Sequence, residues 1–230
     1  MAIPAGQTLL IDADDTLWEN NIYFERVIAA VHRMLEPFEV EHGAFRAHLD
    51  ELERAHIVSH GYGTVNFTRS LVLAFERFLP VGADAALAAQ VRSLGLGILE
   101  HPIELLEGVP ETLDYLARRH ALYLVTKGNH DEQTRKIEAS GLAPRFSGVE
   151  IVPEKHTANY LRLVEHHAWD SARTWMIGNS LRSDIRPAVQ AGLRAVFIPH
   201  AHTWALEHDD PVDHPAVLEL GRFSDLQRHF

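Results

Sequence analysis

The chain opens on a short apolar run, Thr8-Leu9-Leu10-Ile11, and the run ends on acidic residues. A run of this length bounded by polar residues predicts a buried strand. Beyond residue 100 the apolar and amphipathic stretches alternate. The spacing predicts a helix over 109–119 with Pro110 near its start, and then a strand over 121–125 that ends at Thr126-Lys127-Gly128-Asn129. A helix over 131–140, stopped by Gly141, is followed by a strand over 148–152 and a helix over 156–168. A strand over 174–177 ends at Gly178-Asn179-Ser180. A helix over 184–191, with Pro187 in its first turn, precedes a final strand over 194–198. Alternation of this kind predicts an α/β protein: a Rossmann-like parallel sheet with helices on both faces.

Residues between the first two strands break the alternation. Four helical patterns follow one another over 22–35, 43–57, 64–79 and 83–99. In the first, Ile22, Val27, Val31, Met34 and Leu35 recur at helical spacing before Pro37. In the third, Val65, Leu71, Val72, Phe75 and Phe78 do so before Pro80. The expected organisation is therefore a discontinuous core, 1–19 and 100–230, with an all-helical domain inserted over 20–99.

Chemistry concentrates at the ends of the expected strands, where open parallel sheets bind ligands. Asp12 and Asp14 follow the first strand, and a period-2 alternation would aim both the same way. Paired buried carboxylates repel unless a cation or a proton stands between them. Thr126 and Lys127 end the second strand, Glu154 and Lys155 follow the third, and residues 178–184 follow the fourth and close on Asp184. Carboxylates, a hydroxyl and ammonium groups form a set suited to phosphoryl transfer. The chain holds only three lysines, Lys127, Lys136 and Lys155, so one placed at a strand end is not incidental.

Composition removes other classes. The formal net charge of -11 argues against nucleic acid or an anionic membrane as partner, while leaving room for a small anionic substrate. There is no cysteine, hence no disulfide, thiolate nucleophile or cysteine metal site. The first residues show no basic-then-apolar signal and no apolar run reaches membrane-spanning length, so a cytoplasmic protein is the expectation. Residues 200–215 are rich in His, Asp and Pro; their spacing matches no metal-ligand pattern, which predicts a solvated loop, with a metal cluster as the lesser alternative.

Four segments in order, DADDT at 12–16, VTKGN at 125–129, PEK at 153–155 and GNSLRSD at 178–184, carry a resemblance. The chain resembles the haloacid dehalogenase-like (HAD) hydrolase superfamily, in its phosphatase-type branch with a helical cap inserted after the first strand. The resemblance implies roles position by position. Asp12 would be the nucleophile that becomes an aspartyl-phosphate, and Asp14 the acid/base. Thr126 would bind a phosphoryl oxygen, with Lys127, Gly128 and Asn129 beside it, and Lys155 would neutralise the nucleophile. Mg²⁺ would be held by Asp12, the Asp14 carbonyl and Asp184. Asn179 stands where many members carry an acid, which weakens it as a metal neighbour. Asp15 is expected to point away and to play a structural part.

The resemblance also separates reactions. Dehalogenases of this fold need no carboxylate two places after the nucleophile, so Asp14 favours phosphoryl transfer. Phosphonate-cleaving relatives use a cap lysine, and no lysine occurs between residues 18 and 103. The expected activity is a Mg²⁺-dependent phosphatase acting on a small phosphorylated metabolite. A sugar phosphomutase and a non-catalytic phosphate-binding member remain as alternatives. In the cap, 59–66 reads as a substrate-facing loop in which His60, Tyr62 and Asn66 offer hydrogen bonds, with Arg69 beyond it for a second anionic group. An ordinary turn between helices is the competing reading, and both monomer and homodimer fit.

Overall fold

A computed structural model describes residues 3–82 and 84–230. Residue 83, which opens the expected fourth helix, and residues 1 and 2 lie outside the described residues. The chain divides into two compact units, Met1–Asn21 with Ile103–Phe230, and Ile22–Pro102.

The first unit is built on a six-stranded sheet of β1 (Thr8–Ile11), β2 (Ala121–Lys127), β3 (Gly148–Val152), β4 (Thr174–Gly178), β5 (Arg194–Phe197) and β6 (Val217–Glu219). The order is β3-β2-β1-β4-β5-β6 and every pairing is parallel. The helices are α5 (Val109–Ala117), α6 (His130–Ser140), α7 (Thr157–His167) and α8 (Arg186–Gln190). The expected final strand over 194–198 is not the last one. β6 follows it at the sheet edge, three residues long and only partly buried, too short for a hydrophobic period to register.

β1 lies at the centre, so both of its faces are covered. Leu9 and Ile11 join Leu124, Ile177 and Val196 on one face, and Leu10 joins Val125, Met176 and Tyr160 on the other. Leu9, Leu10 and Ile11 are fully buried, worth about 1.5–3 kcal/mol each relative to exposure. After β1 the chain winds outward through β2 and β3. It then returns to the other side of β1 through β4, which pairs Ile11 with Ile177. The strand order reverses between β1 and β4, and the carboxyl ends of the strands at such a reversal are the usual ligand position in open parallel sheets.

The second unit contains α1 (Asn21–Leu35, whose first residue belongs to the sheet unit), α2 (His42–His60), α3 (Thr64–Arg77) and α4 (Ala85–Leu96). Ile28, Val31 and Leu35 of α1 pack with Phe45 and Leu49 of α2, Leu71 and Phe75 of α3, and Val91 of α4. This unit therefore has a hydrophobic core of its own. Among the described residues no helix is long and apolar enough to cross a membrane.

Candidate active site

Pairing of β1 stops at Ile11, although the Asp12 amide still donates to the Ile177 carbonyl at 2.9 Å. From there the chain turns: the Thr16 and Leu17 amides donate to the Ala13 carbonyl at 3.2 and 2.8 Å. Asp14 lies in this turn and not in the strand, so the period-2 argument for paired carboxylates does not reach it. Asp12 and Asp14 have separate sets of partners.

Asp12 faces Lys155 and Asp184. Lys155 Nζ donates to Asp12 Oδ1, and to Asp184 Oδ1 at 2.7 Å. All three residues are buried, Lys155 at 4% and Asp184 at 1% relative exposure. The bridging cation expected between Asp12 and Asp14 is thus a lysine between Asp12 and Asp184. Burial pushes the Asp12 carboxyl up to about 7; the Lys155 charge offsets part of this and the Asp184 charge adds to it. Burial alone would lower the Lys155 ammonium, but the charges of Asp12 and Asp184 raise it above its usual value. On the far side of Asp12, Thr16 Oγ1 lies 3.1 Å from Asp12 Oδ2 and 3.2 Å from Asn179 Oδ1. Its single proton serves one of them at a time.

Asp184 is placed by an uncommon turn. Residues Leu181–Ile185 form one π-helical turn before α8, and the Ile185 amide reaches back to the Ser180 carbonyl at 3.1 Å. Such turns recur at functional sites. Ser180 Oγ accepts from the Ser183 amide at 2.8 Å, the Ser180 amide donates to Asp184 Oδ2 at 3.0 Å, and Tyr160 donates to the Ser183 carbonyl at 3.0 Å. The close passage of the Asp184 carboxylate over β4 requires Gly178, because a Cβ there would overlap Asp184 Cγ and Oδ2. Gly178→Ala is therefore expected to destabilise the protein by ~1–3 kcal/mol through overpacking and to lower any activity that depends on Asp184. Denaturant unfolding of the variant beside wild type checks the first effect.

Asp14 is held by Lys136, whose Nζ lies 2.6 Å from both carboxylate oxygens. Gln133 Nε2 donates to Asp14 Oδ2 at 2.9 Å and Trp18 Nε1 to Oδ1 at 2.7 Å. Burial would raise the Asp14 carboxyl, but Lys136 and these hydrogen bonds bring it below the usual carboxylate range.

The second strand's end departs from expectation. Thr126 is buried at 1% relative exposure. Lys127, expected beside the substrate, is committed to protein groups instead: Glu207, Ser183 Oγ at 2.9 Å and Glu154 at 3.4 Å. A largely buried ammonium takes the carboxylates within reach. Asn129, also expected at the substrate, caps α6, its Oδ1 accepting from the Asp131 and Glu132 amides at 3.1 Å. The Gly128 amide donates to the Val152 carbonyl at 3.2 Å. Gly128 itself has φ 141, and a Cβ there would lie 2.9 Å from Gln133 Nε2.

The loop after β5 is also corrected. In place of a wholly solvated segment, residues 200–207 fold back onto the strand ends. Glu207 is buried at 9% relative exposure and receives both Lys127 and Ser180. Burial would raise its carboxyl, but Lys127 holds it below the usual range. Thr203 accepts from Asn179 Nδ2 at 2.9 Å. His200 stands between Asp15 and Glu19, its Nδ1 3.7 Å from Asp15 Oδ1 and its Nε2 3.4 Å from Glu19 Oε2. One ligand atom from each of these three residues falls within 4.8 Å of the others. Asp15 caps the start of α1, accepting from the Asn20 and Asn21 amides at 2.9 and 3.0 Å. Asp209, Asp210, Asp213 and His214 beyond are exposed.

Within the helical unit, Asn66 closes the turn between α2 and α3, its Nδ2 donating to the carbonyls of His60 at 2.8 Å and Gly61 at 3.1 Å. His60 Nδ1 pairs with Ser59 Oγ at 2.7 Å, Tyr62 lies in the turn, and Arg69 is exposed on α3. Lys136, Gln133, Trp18, Ser180 and Glu207 were not among the expected site residues. The scarcity of lysine was the available signal for Lys136.

Comparison with known proteins places the chain among relatives. The family described as haloacid dehalogenase-like hydrolase matches residues 7–192. A haloacid dehalogenase-like family hydrolase from Xanthomonas campestris is similar at 30% identity with a TM-score of 0.86, covering 97% of this chain and 90% of that one. A HAD-hydrolase of Bacillus subtilis, YfnB, described as bound to magnesium, is similar at 20% identity with a TM-score of 0.64, over 97% of this chain and 98% of that one. A 2-haloacid dehalogenase from Pseudomonas syringae pv. tomato is similar at 23% identity with a TM-score of 0.61, over 97% of each chain. No curated protein matches the chain.

Proposed function

Because the chain belongs to the haloacid dehalogenase-like hydrolase family, we propose that it is a Mg²⁺-dependent phosphatase that hydrolyses small phosphomonoesters through an aspartyl-phosphate. The observation that carries this reading is the buried triad in which one ammonium, Lys155, serves two carboxylates, Asp12 and Asp184. When both are ionised the triad holds a surplus negative charge among oxygen donors. That donor chemistry suits Mg²⁺, which prefers oxygen ligands. Asp12, Asp184 and the Asp14 carbonyl, with Asn179 beside them, would hold the ion. Bound there, Mg²⁺ would neutralise charge on the phosphoryl oxygens.

The residues divide the chemistry between them. The Asp12 carboxylate attacks phosphorus as the ester P–O bond breaks; Asp14, held ionised by its donors before substrate arrives, takes a proton from solvent as the substrate binds and gives it to the departing ester oxygen. Asp14 then takes a proton from the water that attacks the acyl-phosphate, inorganic phosphate departs, and Asp12 is restored. Lys155 steadies the nucleophile by charge, and Thr126 at the end of β2 supplies a hydroxyl for a phosphoryl oxygen. Asp14 supports this reading over dehalogenation, since a halide leaves without a proton and gives a general acid at that position nothing to do. The structural likeness to dehalogenases below 25% identity speaks for the fold alone.

The test is phosphate release from a panel of phosphomonoesters, with and without Mg²⁺, alongside halide release from 2-haloacids. Mg²⁺-dependent phosphate release that is lost in Asp12→Asn supports the reading, and halide release without phosphate release overturns it. A pH dependence follows from the raised Asp12 carboxyl, near 7 before any ion binds. Below that value Asp12 carries a proton that Mg²⁺ must displace. Mg²⁺ affinity measured by calorimetry is therefore expected to fall as pH drops from about 7 to 5, with proton release on binding.

A further inference from the structure

The groups that surround Asp14 all donate hydrogen bonds, and all are anchored elsewhere. Trp18, fully buried, packs in the core of the sheet unit and donates to Oδ1. Gln133, buried at 4% relative exposure, donates to Oδ2 and also to the Lys127 carbonyl at 3.0 Å. Lys136 spans both oxygens and also donates to Asn20 Oδ1 at 3.1 Å. Gln133 and Lys136 lie three residues apart on α6, so they share one face of the helix. The start of α6 is set by the Asn129 cap, and Gly128 leaves the space that the Gln133 amide occupies. The second motif thus reaches the reacting groups through the helix that follows it.

We propose that Lys136 is a positioning residue for proton transfer: it fixes the Asp14 carboxyl group in one place and orientation, with Gln133 and Trp18 completing the cradle. This role rests on the phosphatase reading and adds to it a residue outside the four motifs. Without Lys136, Asp14 keeps only two neutral donors and its carboxyl is free to rotate away from the leaving oxygen. A misplacement of about 1 Å costs a catalytic group ~10²-fold. The loss falls on substrates whose leaving group needs a proton. An aryl ester such as p-nitrophenyl phosphate departs as a stable anion, whereas an alkyl ester such as glycerol 2-phosphate does not.

The experiment compares full-length wild type, Lys136→Met and Lys136→Arg, with Mg²⁺, on these two esters. Lys136→Met is expected to lower kcat on the alkyl ester ~10²-fold and on the aryl ester several-fold less, with KM little changed. Lys136→Arg is expected to recover part of the alkyl activity. Equal losses on both esters, or none, overturn the proposal. If Lys136→Met does not fold, the same contrast is read in Lys136→Gln. A second readout needs no turnover. The chain has four tryptophans, and the indole N–H resonance of Trp18, assigned by its absence in Trp18→Phe, reports its bond to Asp14. It is expected to move upfield in Lys136→Met, and an unmoved resonance overturns the proposal whatever the activity. A moved resonance in a protein that hydrolyses neither ester means that the phosphatase reading has failed while the positioning of Asp14 by Lys136 stands.

Discussion

Lys155→Met is expected to destabilise the protein by ~3–5 kcal/mol at neutral pH, the cost of removing one partner from a buried charge cluster. In a chain of this length that corresponds to a melting temperature lower by ~6–20 °C. The size follows from the arrangement. Lys155 is the cation that touches both Asp12 and Asp184, and both carboxylates are buried, at 7% and 1% relative exposure. Methionine fills much of the volume, so a cavity is not the cause; the cause is two like charges left facing each other. The sign of the pH dependence follows. The deficit is full where Asp12 is ionised and shrinks as acid protonates it, with the Asp12 carboxyl at about 7, so the gap between the melting curves of variant and wild type should narrow from pH 8 toward pH 5. Removing Asp12 as well should return part of the loss, because one buried carboxylate then remains in place of two. A double variant no more stable than Lys155→Met would show that the pair does not act as a unit.

The core of the sheet unit was legible because its strands are fully buried and nearly continuous in apolar residues, while their connections carry helical periodicity. The helical unit was legible for the same reason: Val31, Leu35, Leu71 and Phe75 sit at core spacing. β6 escaped because three partly buried residues at a sheet edge leave no pattern. Asp12, Lys155 and Asp184 are expected together from motifs that close on strand ends, and the structure joins them by hydrogen bonds. The pairing of Lys127 with Glu207 was not legible, because Glu207 lies 80 residues away in a segment with no periodicity. Lys136 was overlooked because a lysine on an amphipathic helix is ordinarily a solvated charge. Yet each of the chain's three lysines ends on a buried or half-buried carboxylate: Lys127 on Glu207, Lys136 on Asp14, Lys155 on Asp12 and Asp184. In a chain with 32 acidic residues and three lysines, those few ammonium groups were the sequence signal for where carboxylates are concentrated.

Asp12→Asn separates catalysis from stability, and the two should move in opposite directions. An amide cannot form the acyl-phosphate, so the Mg²⁺-dependent rate on any substrate is expected to fall ~10⁴-fold or more, the scale seen when a nucleophile is removed from a cooperating set. Folding should not suffer. Asp12 is a carboxyl pushed to about 7 in the folded protein, well above its unfolded value near ~3.9. A raised acid of this kind is favourable to the fold at low pH, and its contribution is lost as pH rises from about 4 through about 7. Asparagine removes that loss, leaving Lys155 paired with Asp184 alone. The melting temperature of metal-free Asp12→Asn relative to wild type should therefore rise between pH 4 and pH 8. Mg²⁺ should reverse the order at pH 8, since the ion stabilises only a protein that binds it and the variant has given up one of its carboxylates. A variant that is inactive and also less stable than wild type at pH 8 without Mg²⁺ would mean that Asp12 holds the fold together, and loss of activity would then say nothing about a nucleophile.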